Sequence, residues 1–233
     1  SNGASTQVNY DGFKKEQTKL NEYLARLSKV EQSKFDAWDK DKQLAFLINA
    51  YNAYTIALIL TEYPDIASIR GLGSFFSSPW KKEIAPLLGE TRTLDEIEHE
   101  LIRGTNQTTK TYNEPRIHFA VNCASVGCPA LREEAYTGNK LDEQLEAQTK
   151  RFLSDSARNK MSGDTLYLSK IFDWYSEDFE GKYGVWRDTS TLNEFILLYK
   201  DAMRLTEAQV SALKNNTADI EYLNYDWALN VAQ

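Results

Sequence analysis

LAFLINAYNAYTIALIL, residues 44–60, is the most apolar run of the 233-residue chain, and its reading decides the fold. Its 17 residues are interrupted by Asn49, Asn52 and Thr55, which lipid would leave unsatisfied. A run this long and apolar on all sides fits a helix buried in the core of the protein, and no membrane span is expected. That helix should extend from about Lys42 to Tyr63 and end at Pro64, because proline cannot continue the hydrogen-bond ladder. Asn49 and Asn52, three residues apart, share a face. Buried amides need partners, so they either tie the helix to loop backbone or line a pocket.

The surrounding sequence builds an α+β domain, mostly helical, around that helix. Residues 11–28 carry Phe13, Leu20, Tyr23, Leu24 and Leu27 at helical spacing. KEIAPLLGETRT suggests two short strands about Gly89-Glu90, and PRIHFAVN (115–122) reads as a third. Thr93 and Glu96 form a capping-box pattern, and Gly104 closes the helix they start. LDEQLEAQTKRFL is an amphipathic helix, DTLYLS (164–169) a strand, and SKIFDWYSEDF, 190–203 and 206–214 are helical. IEYLNYDW makes a last strand or an extended tail. The sheet should be small and antiparallel. Ser1-Asn2-Gly3 resembles a tag scar, residues 4–34 form an N-terminal helical extension, and 35–233 form one globular domain without repeats or linkers.

Hydrophobic residues make up 42% of the chain, enough for a core without metal or disulfide staples. A net charge of −7 with scattered basic residues argues against nucleic acid as a partner. A small-molecule or peptide ligand fits better, and the sequence says nothing of oligomeric state. No phosphate-binding, dinucleotide, nucleophile-elbow or zinc-protease motif occurs, and no cofactor is expected.

The chemistry concentrates in HFAVNCASVGCP (118–129), which holds one of the two histidines and both cysteines. Cys128 precedes Pro129, a favoured first helical residue, which would place the thiol at a helix N-cap where the dipole favours thiolate. Cys123 ends the strand, and the amides after it could serve as oxyanion donors. Three readings stay open for the pair: a reactive thiol, two buried packing residues, or a short-loop disulfide. On a regular strand His118 and Cys123 face opposite ways, so a direct pair needs a bulge near Asn122, or a turn that brings Cys128 back under the histidine. His99 falls about 140° from Leu94, off the apolar stripe of its helix, and is either solvated or turned toward a cleft. Glu98 lies nearer the stripe's edge. The spacing H-x18-H-x4-C-x4-C matches no common zinc signature, and no metal is assigned.

FLINAYNAYTI, LDEIEHELIR, PRIHFAVNCASVGCPAL, LDEQLEAQTKRFL, SKIFDWYSEDF and YLNYDWALN, in this order, resemble the domain-of-unknown-function 547 family over about residues 35–229. The family usually has Phe-Trp where this chain has Phe46-Leu47, an apolar exchange. The resemblance implies no settled activity, and an exported or envelope-associated setting. It marks Asn49, Asn52, Glu98, His99, Arg103, His118, Cys123, Ser125, Cys128, Pro129, Asp173, Trp174 and Tyr175 as motif positions, which raises His99 as a site residue. There is a distant likeness to papain-like cysteine enzymes, although here both histidines precede both cysteines.

The expectation carried forward is a thiol-dependent hydrolase or acyl transferase. Cys123 or Cys128 would be the nucleophile and His118 or His99 the base, with Glu98 beside them. Asn49, Asn52, Arg103, Asn122, Ser125 and Trp174 would contact substrate; in a third reading, a small thiol-peptide or metabolite binder without turnover, Trp174, Tyr175 and Trp80 would wall the pocket. The rival is a non-catalytic envelope binding or scaffold domain whose Cys/His cluster or disulfide is structural.

Overall fold

A computed structural model describes residues 4–73, 77–105, 111–182 and 184–232, so the Ser1-Asn2-Gly3 reading lies outside the described residues. Short helices α1 (Tyr10–Lys15), α2 (Gln17–Ser28) and α3 (Gln32–Asp36) lead into the long α4 (Lys40–Leu60). Asp39 caps α4 by accepting a hydrogen bond from the Lys42 amide at 2.8 Å. By length and composition α4 could cross a membrane, but 78% of its most apolar window is buried inside the fold. It is the core helix, enclosed on every side. Leu20, Leu27 and Phe35 of the preceding helices join Leu47, Ile48, Tyr51 and Ile59 of α4 in one hydrophobic cluster.

Strands β1 (Ala85–Leu87) and β2 (Glu90–Arg92) form the expected hairpin. Both turn residues have positive φ, Leu88 at 56° and Gly89 at 85°, the signature of a tight turn that matches strand twist. The second half of the chain supplies α5 (Leu141–Leu153), β3 (Lys160–Ser162), β4 (Thr165–Leu168), α6 (Ile171–Trp174), α7 (Ser176–Phe179), α8 (Leu192–Leu198), α9 (Glu207–Lys214) and β5 (Asp219–Tyr222). β3, which the sequence reading does not mark, pairs antiparallel with β4, the DTLYLS strand, whereas β5 joins β4 in parallel, Leu168 opposite Tyr222. The α+β class with small sheets holds.

A second cluster is built from phenylalanines: Phe119, Phe152, Phe172, Phe179 and Phe195 are all at most 2% exposed. The joint between the clusters is a 3-10 turn, Pro115–Phe119, where the sequence suggested a strand. Pro115 starts the turn, the Glu114 carboxylate caps it by accepting from the Arg116 amide, and the Asn52 side chain grips its exit. Asn52 donates to the Ala120 carbonyl at 2.9 Å and accepts from the Asn122 amide at 2.8 Å. Those backbone groups are therefore satisfied without a sheet partner. Ile117 enters the first cluster and Phe119 the second, with His118 between them.

After Tyr222 the chain runs extended across the molecule as a strap. The amides of Val126 and Gly127 donate to the carbonyls of Ala228 and Asp226, both at 2.8 Å, and the Asn230 amide donates to the Ala124 carbonyl at 3.1 Å. On the strap's far side Val231 bridges Val8 in parallel, and the Tyr10 hydroxyl donates to Asn230 Oδ1 at 2.7 Å.

Candidate functional site

A cleft of about 200 Å³ opens where the turn, the strap, α6 and the Glu96–Ile102 helix meet. Its walls bring together Glu98, His99, His118, Cys123, Cys128 and Trp174, all singled out from the sequence, with Trp80 and Tyr175 beside them. Tyr51, Asp95, Tyr225 and Trp227 also line the wall and were not anticipated as site residues.

Because residues 115–119 coil instead of alternating, His118 and Cys123 reach the same cleft without a bulge. The His118 ring is 2% exposed and stacks on Tyr175, with centroids 4.0 Å apart. Its Nε2 lies 2.7 Å from Asp178 Oδ2. The same oxygen accepts from Arg103 Nε at 2.7 Å. Arg103 supplies the opposite charge, so Asp178 is ionised and the histidine Nε2 donates to it. Burial alone would raise Asp178, but the hydrogen bonds from His118 and Arg103 outweigh it and hold the carboxyl well below its usual range. Burial lowers His118 below its ordinary 6.5 despite Asp178, so the ring is neutral at pH 7. Nδ1 then carries a lone pair, and it has no hydrogen-bond partner among the described residues.

His99 is held separately. Arg103 Nη1 lies 2.9 Å from its Nδ1, and an arginine can only donate, so Nδ1 accepts and the ring proton sits on Nε2 facing Asp95 at 3.8 Å. The capping box read from the sequence starts this helix: the Glu96 amide donates to Thr93 Oγ1, and the Thr93 amide donates to Glu96 Oε2. The helix itself is wound as a π-helix, Glu96–Ile102, and Gly104 ends it at φ 62°. Glu98, 6% exposed, accepts from the Tyr175 hydroxyl at 2.9 Å.

Cys123 and Cys128 form a disulfide with Cα atoms 6.1 Å apart, which corrects the expectation of reactive thiols for the form described. Cys128 is not a helix N-cap either, since residues 129–137 are irregular. Side chains take the carbonyls a helix would have used: Asn122 donates to Pro129 O, Gln148 to Ala130 O, Gln144 to Ala135 O and Asn49 to Tyr136 O. The cysteine loop has its own local frame. Asn122 Oδ1 accepts from the Ala124 amide, Ala124 adopts φ 62°, and Gly127 lies against the Tyr225 ring. A Cβ at Gly127 would sit 2.9 Å from three ring carbons, so no other residue fits without displacing Tyr225.

Hydrogen-bond donors converge on the sulfurs. The Cys123 amide points at Cys128 Sγ at 2.8 Å. The Tyr225 hydroxyl lies 3.1 Å from Cys123 Sγ and 3.2 Å from Cys128 Sγ, and itself accepts from Ser125 Oγ at 3.0 Å.

Several candidates serve the frame instead. Asn49 binds the Tyr136 backbone through both amide ends, and Asn52 does the same at Ala120 and Asn122. Asn122 and Ser125 are buried supports of the loop, and Arg103 stands behind the histidines rather than in the wall. The expected oxyanion amides after Cys123 are taken by Asn122, Ala228 and Asp226. Asp173 is paired with Lys170 at the surface, and Asp178, five residues later, is the partner of His118. Nothing in SKIFDWYSEDF distinguishes the two aspartates before the fold is known.

Residues 35–153, over half the chain, match the model of a family described as a protein of unknown function, DUF547. The chain belongs to that family. No curated protein and no solved structure matches it. The matched family region carries His99, His118 and the disulfide, while Asp178, Tyr225 and Trp227 lie beyond it.

Proposed function

We propose that the cleft carries out thiol-dependent acyl transfer or hydrolysis on an amide or thioester, with the Cys123–Cys128 disulfide as its oxidised resting form. The observation that carries this reading is the buried Asp178–His118 pair, whose Nδ1 is buried without a hydrogen-bond partner among the described residues, in a wall of the same cleft as the two sulfurs. A dithiol reductant would attack the half-buried Cys123 Sγ, and Cys128 would leave as a thiolate. The Cys123 amide and the Tyr225 hydroxyl are the donors that stabilise that anion. The reductant's second thiol then closes its own disulfide and frees Cys123. In the reduced form His118 Nδ1 takes the Cys123 proton, the thiolate attacks the carbonyl carbon, and the histidine returns the proton to the leaving amine or thiol. Water, activated by the same nitrogen, releases the acyl group. Once Cys128 has moved away, the Cys123 amide and Tyr225 hydroxyl are the donors nearest the developing oxyanion.

A non-catalytic binding domain braced by the disulfide is the second reading. The engagement of the Ala124, Val126 and Gly127 amides by other groups favours it, because a usual source of oxyanion donors is thereby used up. One experiment separates the two. The dithiothreitol-reduced chain is treated with a panel of chromogenic thioesters and anilides, alongside Cys123→Ala and Cys128→Ala variants. Catalysis predicts acyl release from the reduced chain and Cys128→Ala, loss of at least about a hundredfold in Cys123→Ala, and a covalent acyl-enzyme by mass spectrometry. Release that is unaffected by Cys123→Ala, or absent throughout, leaves the binding domain.

A further inference from the structure

The cleft is aromatic and acidic. Trp80, Trp174, Trp227, Tyr225, Tyr175 and Tyr51 line it, and Trp174 is 44% exposed, an unusual cost for so large an apolar ring. The rings form a continuous wall: Trp227 lies 5.6 Å from Trp174, 5.8 Å from Trp80 and 4.6 Å from Tyr225. Among the described lining residues Asp95 and Glu98 are the carboxylates, and none is a lysine or arginine. Two protein cations already use rings of the wall from outside the lining: the Arg70 guanidinium sits 5.4 Å from the Trp227 ring centre and the Arg103 guanidinium 4.8 Å from that of Tyr175.

From this we infer that the cleft binds an organic cation, an alkylammonium group, seated on the Trp174–Trp227 wall and facing Asp95 and Glu98. The electron-rich ring faces attract a positive charge, and the attraction grows where water is displaced. A neutral apolar ligand would gain the ring faces but would waste two carboxylates. An anion would be repelled by both. The volume, about 200 Å³, is below that of pockets for whole drug-sized ligands, so it suits a head group whose remainder lies outside. As the substrate class of the acyl-transfer chemistry, this inference rests on the reading above: the substrate would carry an ammonium group near its reacting carbonyl. As a binding site it needs no open thiol, and the oxidised chain suffices to test it.

Three of the five tryptophans line the cleft, so intrinsic fluorescence reports its occupancy. The oxidised full chain is titrated with choline, with its uncharged isostere 3,3-dimethylbutan-1-ol, and with methyl glucoside, by fluorescence and calorimetry. Choline should bind at least about tenfold tighter than the isostere, and added salt should weaken it. Trp174→Ala, at an exposed position, should reduce choline affinity about two- to fivefold without loss of fold. Asp95→Asn should reduce it at low salt only. Equal binding of choline and the isostere, a preference for the glucoside, no choline binding, or an unchanged affinity in Trp174→Ala would each overturn the inference. Failure of acyl release with choline binding intact would overturn the catalytic reading alone.

Discussion

His118 shows how a single buried ring sets a pH response. The unfolded chain protonates this histidine near pH 6.5, while the folded chain resists until lower pH because burial disfavours the charged ring. The unfolded state therefore binds more protons in that window, and stability falls as pH drops below 6.5. Asp178 acts in the same direction at lower pH: its carboxyl is held ionised by His118 and Arg103, so its contribution is full above the unfolded value, about 3.9, and is lost below it. Urea unfolding from pH 8 to 3 should show a plateau, a decline starting near pH 6.5 and a steeper loss at and below about pH 4. His118→Gln, which keeps a donor for Asp178, should lose the first decline and retain the second. An unchanged profile in that variant would place the pH dependence elsewhere.

Among the elements, the helix carrying Glu98 and His99 depends on its cap. Thr93→Ala removes the acceptor for the Glu96 amide and should cost about 1 kcal/mol in urea denaturation; a cost near zero would show that packing of Ile97 and Ile102 alone holds the helix. This cap was legible because T-x-x-E is a local pattern with a local cause. The buried helix α4, the β1–β2 hairpin and α5 were legible for the same reason: their periodicity and turn residues agree with their tertiary setting. PRIHFAVN was not, because its strand-like composition is overridden by a distant side chain, Asn52, that satisfies the backbone from α4. The i→i+5 winding of the Glu96–Ile102 helix, with the Arg103 amide donating to Glu98 O, likewise has no mark in its composition. For the site, the chemically distinctive residues His99, His118, Cys123 and Cys128 could be gathered by type, but their partners Asp178 and Tyr225 come from distant segments of ordinary composition.

At the scale of the molecule, two cores share one joint and the disulfide spans only the loop beside it. A bond closing so short a loop removes little unfolded-state entropy, about 2 kcal/mol. Reduction should therefore lower the thermal midpoint by about 5 °C and leave the far-ultraviolet dichroism unchanged; collapse of the fold on reduction would contradict this and exclude a working dithiol form. The strap that closes the cleft has a consequence for biosynthesis. Tyr225 lies 102 residues after Cys123, so a chain emerging N-terminus first presents both cysteines to the cellular thiol pool long before their tyrosine cover and the Ala228 and Asp226 carbonyls arrive. Until residues 223–230 dock, the oxidation state of the loop is open to whatever thiol pool the chain meets, and docking of that strap then narrows access to the sulfurs.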